Sequence, residues 1–184
     1  GSSISAVKAG KCMDTSMGLT PLAGVLMGTR CGDVDPSVVT YMEQKLGMHG
    51  QEMADYLNKK CGLLGVSGVS SDMRDVTSAA DAGNTRAKLA IDMLAYQIKK
   101  YIGSYAAAMG GLDCVVFNDY RMRASVCEDM GFLGISVDPE KNRQRTGDIM
   151  DISGKGSRVK VLVICTNEEL MIARDTKALV EAAK

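Results

Sequence analysis

The chain has 184 residues, of which 46% are apolar and 24% are charged, and it contains only three prolines. This composition is typical of a folded domain, or of one lobe of a larger protein, and excludes disordered and collagen-like chains. The 22 Lys and Arg residues balance 22 Asp and Glu residues, and there are two phenylalanines and no tryptophan. Zero net charge and few aromatic rings argue against a nucleic acid partner, because such binding needs basic and stacking surfaces.

The cysteines and apolar runs constrain the cellular setting. The six cysteines are widely spaced and form no CxxC pair, and His49 is the only histidine of the sequence. This spacing predicts free thiols in a reducing cytoplasm and no zinc site, and it leaves His49 as a surface residue. No apolar run reaches the roughly 18 residues that would cross a bilayer, so no membrane partner is expected.

The first third of the sequence predicts a hairpin followed by helices. Residues 1–16 alternate small apolar and polar positions around a tight turn at residues 8–11, which predicts two short strands. An Asp-Pro start and spaced apolar residues predict a helix over 36–48, and a second helix is expected over 52–60. Gly62 is expected to end that second helix and to open a loop over 62–75.

The rest of the chain predicts alternating helices and strands. Residues 85–109 carry an apolar stripe at helical spacing, and Gly110 and Gly111 follow as a stop. Two β-branched runs, 112–117 and 159–164, predict inner strands, and helices are expected over 121–130 and 167–183. The second of these helices would begin at Thr166 or Asn167 as N-cap. This order predicts an α/β fold with a mixed sheet and flanking helices, without a dividing linker. The stripe residues are Leu89, Ile91, Leu94, Ile98, Ile102 and Tyr105.

The segment "MGTRCGDVDP", residues 27–36, combines glycines with one arginine before a helix start. Glycines permit close backbone approach, and the Arg30 guanidinium offers a rigid fork of donors that suits phosphate or carboxylate oxygens. An anion-binding loop is therefore one interpretation. The other is a structural turn in which Arg30 forms an ion pair with Asp33 or Asp35.

The segment "GLLGVSGVSSDMRD", residues 62–75, allows two interpretations of the same kind. Asp72 could accept hydrogen bonds from ribose hydroxyls, and Arg74 could lie beside a base or a phosphate. Glycine and serine before a helix are also ordinary connection residues. The residues alone do not decide between the two interpretations.

Two acids, Glu168 and Glu169, begin the last predicted helix directly after a predicted strand. Acids in a first turn stabilise the helix through its dipole, which is one interpretation. The other is a magnesium ligand, because α/β sheets place their sites at the carboxyl ends of strands.

Taken in order, these segments resemble one family, the acetate and propionate kinases of the acetokinase group, within the actin, Hsp70 and sugar kinase superfamily. The resemblance rests on "GSSISAVKAGKCMDTSMGLTPLAGVLMGTRCGDVDP", on "GLLGVSGVSSDMRD" and on "TNEELMIARDT". It implies a ribonuclease H-like fold and reversible phosphoryl transfer from ATP to acetate, giving acetyl phosphate and ADP with Mg²⁺ or Mn²⁺. It also implies a homodimer, which the cysteine spacing would place in the cytoplasm.

The resemblance carries roles for individual residues. Arg30 would stabilise the phosphoryl group in the transition state, and Glu168 would be the magnesium residue. Pro21, with Met17, would wall a small apolar pocket for the acetate methyl group.

The nucleotide would lie against further residues on the same resemblance. Asp72, Met73 and Arg74 would border the adenosine, and Gly1 matches the last residue of the family's H-L-G-N-G phosphate loop. Asn118 matches the final residue of a glycine-rich nucleotide loop of the form T-G-G-I-G-E-N.

The sequence departs from the family in two respects. Family members are about twice as long, so residues 1–184 are expected to form the C-terminal, nucleotide-binding lobe, and a first half with further catalytic histidines, an arginine and an aspartate is absent. The glycine-rich loop is also missing from this sequence between Phe117 and Asn118, and we expect the loop and the first half to belong to the complete protein. Alternatives are a propionate or butyrate kinase or, if the chain is complete, a non-catalytic dimerising fragment.

Overall fold

The computed structural model describes residues 2–117, 120–144 and 147–183. It divides into two compact units, Gly1–Leu112 and Asp113–Lys184. The assignment of all 184 residues to one lobe of a kinase stays a prediction.

The first unit begins with an antiparallel hairpin and continues with five helices. The hairpin confirms the prediction: Ser5 pairs with Thr15 and Lys8 with Lys11, across a turn in which Ala9 and Gly10 both have positive φ. Such turns match the natural twist of two strands. The elements of this unit are β1 (Ser5–Lys8), β2 (Lys11–Thr15), α1 (Pro36–Leu46), α2 (Gln51–Lys59), α3 (Gly62–Ser67), α4 (Met73–Asp81) and α5 (Thr85–Met109).

Helix α1 begins where the sequence predicts. Asp35 is its N-cap, and the Asp35 carboxylate accepts a hydrogen bond of 2.8 Å from the Ser37 amide, while Pro36 occupies the first turn. Gly47 ends the helix in the left-handed conformation. These are standard start and stop residues, which explains why the sequence sufficed here.

The predicted loop over 62–75 is wrong in part, and so is the role of Gly62 as a helix stop. Helix α2 ends at Lys59, whereas Gly62 opens α3, and only residues 68–72 connect α3 to α4. Helix α3 has no side-chain cap at its start. The sequence therefore lacks the usual signal, and α3 depends on burial of Leu63 and on backbone contacts described below.

Helix α5 is the central support of the first unit and has the predicted bounds. The Asn84 side chain caps it by accepting from the Arg86 and Ala87 amides, each at 3.0 Å. The predicted stripe is buried at Leu94, Ile98, Ile102 and Tyr105, and α3 and α4 pack against this helix. Leu89 differs, because it is 51% exposed and lies outside the buried face.

The second unit contains a three-stranded mixed sheet. Strand β5 is central, with β3 parallel on one side, Val115 opposite Val161, and β4 antiparallel on the other. The mixed sheet confirms the predicted fold class, but β4 has no predicted counterpart and the 112–117 strand lies at the edge of this sheet rather than inside it. The elements are β3 (Cys114–Phe117), α6 (Tyr120–Cys127), α7 (Pro139–Arg143), β4 (Ile149–Asp151), β5 (Lys160–Ile164) and α8 (Glu168–Ala182).

The core of the second unit lies around β5. Val161 and Ile152 are fully buried, as is Val126 of α6. Helix α8 contrasts with them, since none of its described residues is buried. No helix in the described ranges is both long enough and apolar enough to cross a membrane. All six cysteines are free thiols, as predicted.

Candidate functional site

Arg30 lies in a tight hairpin formed by residues 24–33, hereafter the arginine hairpin. The Met27 amide donates to the Arg30 carbonyl at 3.1 Å, which leaves Gly28 and Thr29 as the turn. The Asp33 amide donates to the Gly24 carbonyl at 2.7 Å at the open end. Arg30 is therefore the first residue after the turn, and its carbonyl group is held by the bond from Met27.

The segment from α2 to α3 holds one side of the arginine hairpin. The Leu63 and Leu64 amides donate to the carbonyls of Met27 and Gly28 at 2.7 and 3.0 Å. The Cys61 amide donates to the Thr29 carbonyl at 3.0 Å. These three bonds join main-chain groups only, and the Thr29 hydroxyl adds a bond of 2.8 Å to the Asn58 carbonyl of α2.

Gly62 permits this close approach. Its φ is +61°, and a Cβ at this position would lie 2.7 Å from the Arg30 carbonyl oxygen and would overlap the Met27 carbonyl. Only glycine combines this φ with the space available. This requirement explains why residue 62 is a glycine, which from the sequence alone is interpreted as a helix stop.

Helix α5 holds the other side of the arginine hairpin through two polar side chains one turn apart. The Leu26 amide donates to the Gln97 side-chain oxygen at 2.7 Å. The Tyr101 hydroxyl donates to one carboxylate oxygen of Asp33, and the other accepts from the Gly24 amide at 2.8 Å. Burial and then this bond to Asp33 raise the pKa of Tyr101, so the hydroxyl remains a donor at neutral pH.

The Arg30 guanidinium has no acidic partner among the described residues. One of its terminal nitrogens lies 3.4 Å from the Pro21 carbonyl oxygen and 3.8 Å from the Met27 sulfur. An ion pair of Arg30 with Asp33 or Asp35, the structural interpretation of the sequence, is therefore wrong. Asp33 is occupied by Gly24 and Tyr101, and Asp35 caps α1.

Pro21 and Arg30 are brought together, as the resemblance implies. Pro21 is exposed and contacts Arg30 through its carbonyl group, while Met17 is half-buried four residues earlier. Leu19, between them, is fully exposed. The contact with Arg30 is made by the Pro21 main chain, and the role of Pro21 and Met17 as a methyl pocket stays a prediction.

The connection after α3 approaches the arginine hairpin. A Cβ on Gly28 would lie 2.8 Å from the Ser71 carbonyl oxygen, so the tip of the turn and the connection that precedes Asp72 are in close contact. The Ser70 hydroxyl organises this connection by accepting from the Asp72 amide at 3.1 Å and donating to Asp75 at 2.8 Å. The structure thus joins two of the three sequence motifs.

Asp72 and Arg74 bind each other. The Asp72 carboxylate caps α4 by accepting from the Arg74 amide at 2.8 Å, and it also accepts from the Arg74 side chain at 2.6 to 3.2 Å. These bonds, chiefly the side-chain bonds from Arg74, lower the pKa of Asp72 to about 2. The four bonds occupy both carboxylate oxygens, so Asp72 has little capacity left for a ribose hydroxyl. Met73 is half-buried at the start of α4, and Arg74 is exposed.

Glu168 is the first residue of α8, directly after the Asn167 cap, whose side chain accepts from the Leu170 amide at 3.1 Å. The choice of Asn167 as cap confirms one of the two predicted positions. Because β3 and β5 run parallel, with Phe117 opposite Val163, both strands end at the same edge of the sheet, and α8 follows from there. The Glu168 carboxylate is exposed and has no hydrogen-bond partner within the described ranges.

Two candidate residues lie outside the described residues. Gly1 and Asn118, both predicted to contact nucleotide, therefore stay predictions. No cluster of three or more His, Cys, Asp or Glu side chains suited to a metal occurs in the part of the chain that the structure describes.

Sequence reasoning missed the residues that support Arg30. Tyr101 and Gln97 lie about 70 positions beyond the arginine hairpin, and on α5 they fall beside an apolar stripe without any local motif. Nothing in the sequence links them to Arg30. Only the packing of α5 reveals the connection.

The structure defines a mixed α/β fold in which a backbone-fixed arginine on a hairpin has no acidic partner among the residues that the structure describes. The chain matches the acetokinase family over residues 1–174, and it belongs to that family. It is 52% identical to the acetate kinase of Treponema denticola and 53% identical to that of Moorella thermoacetica, over 98% and 99% of its length. It spans about half of these relatives, 47% of each.

Solved structures agree with the family. The chain aligns with the acetate kinase of Porphyromonas gingivalis at a TM-score of 0.91 and 49% identity, covering 97% of this chain and 46% of that one. A propionate kinase from Francisella tularensis aligns at 0.85 and 42% identity, covering 93% and 45%. The fold is therefore that of the predicted superfamily.

Proposed function

We propose that this chain forms the nucleotide-binding lobe of an acetate kinase, which transfers the γ-phosphoryl group of ATP reversibly to acetate, giving acetyl phosphate and ADP. This proposal rests mainly on Arg30. The hairpin that carries Arg30 is held on two sides, and the Arg30 guanidinium has no carboxylate partner in the described ranges. A guanidinium without a carboxylate partner, on an ordered backbone, is suited to bind an anionic group of a substrate.

Arg30 would act on the charge that develops during transfer. As the acetate carboxylate attacks the γ-phosphorus in line, negative charge spreads over the equatorial oxygens, and a guanidinium can donate two parallel bonds to them. Since its backbone is already ordered, little reorganisation accompanies the reaction. The contact with the Pro21 carbonyl orients the guanidinium toward the segment that also carries Met17.

The nucleotide would bind beside the arginine hairpin. The close approach of Gly28 and Ser71 supports this, because it brings the connection before Asp72 against the turn. Asp72 would contribute mainly by holding Arg74 and the start of α4, while the Arg74 guanidinium and Met73 would border the adenosine. Gly1 and Asn118 would add contacts to the phosphates.

Glu168 would hold Mg²⁺ or Mn²⁺. The residue fits such an ion, because Mg²⁺ in phosphoryl-transfer sites commonly takes one or two carboxylates and completes its shell with water and substrate phosphates. The Glu168 carboxylate is exposed and unengaged within the described residues, at the carboxyl end of β5. When bound, the ion would neutralise phosphate charge.

The first test is Arg30→Ala in the purified full-length protein, with acetyl phosphate formation as the readout. Turnover should fall by about a thousandfold, in the range seen when transition-state donors are removed. Thermal unfolding should change little, because Arg30 contributes mainly backbone bonds to the fold. Arg30→Lys keeps the charge without the fork and should recover only a small part. Near-normal turnover in Arg30→Ala would end this assignment.

A propionate or butyrate kinase is the second candidate, favoured by the match to the Francisella tularensis propionate kinase. One methylene in an apolar pocket changes binding by only about 1 to 3 kcal/mol. The ratio of kcat/KM for acetate, propionate and butyrate decides between these activities. Enlarging the pocket with Met17→Ala should shift that ratio toward the longer acids.

A non-catalytic fragment is the third candidate, because the chain spans only 47% of its relatives. The intact mass of the purified polypeptide under denaturing conditions tests it. A mass near twice that of this chain would support the enzyme. A mass of 19.6 kDa would leave the fold and family unchanged but would remove the claim of turnover.

We further propose a cytoplasmic homodimer. The free thiols support the location. Leu89 and Met93, one turn apart on α5, are 51% and 38% exposed, and they form an apolar surface that a second copy could cover. Leu89→Lys should lower the dimer fraction in sedimentation, whereas Lys88→Ala on the exposed face should leave it unchanged.

A further inference from the structure

We infer that Arg86 is a positioning residue for nucleotide binding, which fixes the end of α3 and the connection over residues 68–72 that follows it. This inference rests on the proposed function in taking that connection and the start of α4 as the border of the adenosine. Arg86 acts through α3 and does not itself contact the nucleotide.

The Arg86 guanidinium closes the C-terminal end of α3. From the first turn of α5, its Nε donates to the Val66 carbonyl at 2.8 Å, and a terminal nitrogen donates to the Gly65 carbonyl at 2.8 Å. The last carbonyls of a helix have no partner within the helix, and a guanidinium can bind them while opposing the negative end of the helix dipole. Arg86 therefore supplies from another helix the charge that α3 lacks, since the α3 sequence GLLGVS contains no charged residue.

Helix α3 needs such support because it is short. It has six residues and no side-chain cap at its start. An isolated helix of this length is not stable in water, so bonds at its two ends hold it in place. At the start, the Leu63 and Leu64 amides bind carbonyls of the arginine hairpin. At the end, the Gly68 amide binds the Leu64 carbonyl at 2.8 Å, and Arg86 binds the next two carbonyls.

The chain leaves α3 beside the Arg86 guanidinium. Gly68 ends the helix with a φ of +69°, and a Cβ at this position would lie 3.5 Å from a terminal nitrogen of Arg86. The Val69 amide then donates to the hydroxyl of Ser67, which is buried, at 3.1 Å. The direction of the connection toward Asp72 thus depends on a helix end that Arg86 fixes.

Loss of Arg86 should affect the nucleotide more than Arg30. The arginine hairpin is held by the start of α3, by the Cys61 amide, and by Gln97 and Tyr101 of α5, and none of these bonds involves Arg86. The connection over 68–72, in contrast, begins directly at the end of α3. A displaced helix end should therefore raise the KM for ATP and leave kcat nearly unchanged.

The experiment combines steady-state kinetics, ADP binding and hydrogen exchange of the purified full-length protein. Arg86→Ala removes both bonds, and Arg86→Lys keeps the charge without the fork of donors. Lys88→Ala is the matched control, because Lys88 is an exposed cation near Arg86 on α5 and pairs with Asp92 of the same helix. Exchange is followed by mass spectrometry in peptides that cover residues 66–72 and 24–33.

Arg86→Ala should raise the KM for ATP and the dissociation constant of ADP about tenfold, and speed exchange over 66–72 about tenfold, because two charge-assisted bonds at an exposed site are lost. The value of kcat at saturating ATP and the exchange over 24–33 should stay within about a factor of two. Arg86→Lys should recover part of both effects, and Lys88→Ala should change neither. A role confined to global stability would instead speed exchange in both peptides alike and leave the KM unchanged.

An unchanged exchange rate over 66–72 or an unchanged KM for ATP in Arg86→Ala would overturn the inference. A lower kcat at constant KM would overturn it as well, since Arg30 rather than the nucleotide border would then be displaced. If Arg86→Ala does not fold, Arg86→Lys decides by the same readouts. Failure of the proposed function is recognised separately, because the wild type itself would then bind no ADP; that result would also overturn the nucleotide role of Arg86.

Discussion

The two charged residues that we propose for phosphoryl transfer are held in opposite ways. Arg30, in the first unit, follows a turn fixed by backbone bonds from the α2–α3 segment and by Gln97 and Tyr101 of α5. Glu168, in the second unit, opens a helix in which no described residue is buried, and the Asn167 side chain caps the start of this helix. One residue is ordered by the fold around it, and the other is exposed at the end of a strand.

The difference follows from the chemistry each residue would perform. A transition-state donor works best when it needs no reorganisation, so its support must be built in. A magnesium ligand can rely on the ion and the phosphates to complete the site, because Mg²⁺ brings its own geometry. Changes that disturb the support of Arg30 should therefore affect stability and activity together, whereas changes at Glu168 should affect activity alone.

The largest effect is expected from Gly62→Ala. The new Cβ would overlap the Met27 carbonyl and lie 2.7 Å from that of Arg30, at a φ of +61° that alanine rarely adopts. The free energy of unfolding should fall by at least about 3 kcal/mol, and turnover should fall in the folded fraction.

Gly47→Ala is the control for that substitution. Gly47 has nearly the same φ, +65°, at the end of α1, but nothing lies within 4 Å of an added Cβ. Its cost should be limited to about 1 kcal/mol. Chemical denaturation of both variants measures the difference, and equal losses would mean that the contact with the arginine hairpin contributes nothing.

Glu168→Gln should have an intermediate effect, confined to activity. Loss of the charge should lower turnover at a fixed Mg²⁺ concentration by roughly a hundredfold and raise the Mg²⁺ concentration needed for half-maximal rate. The melting temperature should stay within about 1 °C, because the carboxylate has no hydrogen-bond partner in the described part of the chain.

Glu169→Gln provides the matched control for Glu168. Both acids lie in the first turn of α8 and are exposed, so both contribute equally to the helix dipole. Turnover of the control should remain within about a factor of two of the wild type. Equal losses in the two variants would assign the effect to the helix rather than to a metal ligand.

The smallest effect is expected from Asp72→Asn, and it should depend on pH. The bonds from Arg74 lower the pKa of Asp72 in the folded protein from 3.8 to about 2. A lowered pKa adds stability above the unfolded value, and that contribution disappears as the pH falls from about 3.8 toward 2. The wild type should therefore exceed the variant in urea denaturation at pH 5, and the two should converge near pH 2.

The variant Arg74→Ala separates the ion pair from the helix cap. It should bring the pKa of Asp72 part of the way back toward 3.8, measured by NMR titration of the carboxyl group, because the amide bond to the cap remains. A titration midpoint still near 2 would show that the cap alone accounts for the shift.

Local chemistry accounts for what the sequence predicted well. The turn at residues 8–11, the Asp35-Pro36 start of α1, the bounds of α5 and the Asn167 cap all involve neighbours along the chain, so propensity and capping suffice to identify them. Helix α3 could not be predicted in this way, because Gly62 is needed for the close contact with the arginine hairpin and does not mark the end of a helix. Strand β4 was not predicted either, because its three residues are recognised as a strand by their pairing with β5.

The sequence by itself determined the mixed α/β class, the family, and the identity of the candidate residues, because these depend on residue types in a fixed order. The tertiary structure alone decided that Arg30 has no carboxylate partner among the described residues, that Asp33 instead binds Tyr101, and that Asp72 is occupied by Arg74. Which donor meets which acceptor depends on segments far apart in the chain, and only packing brings those segments together.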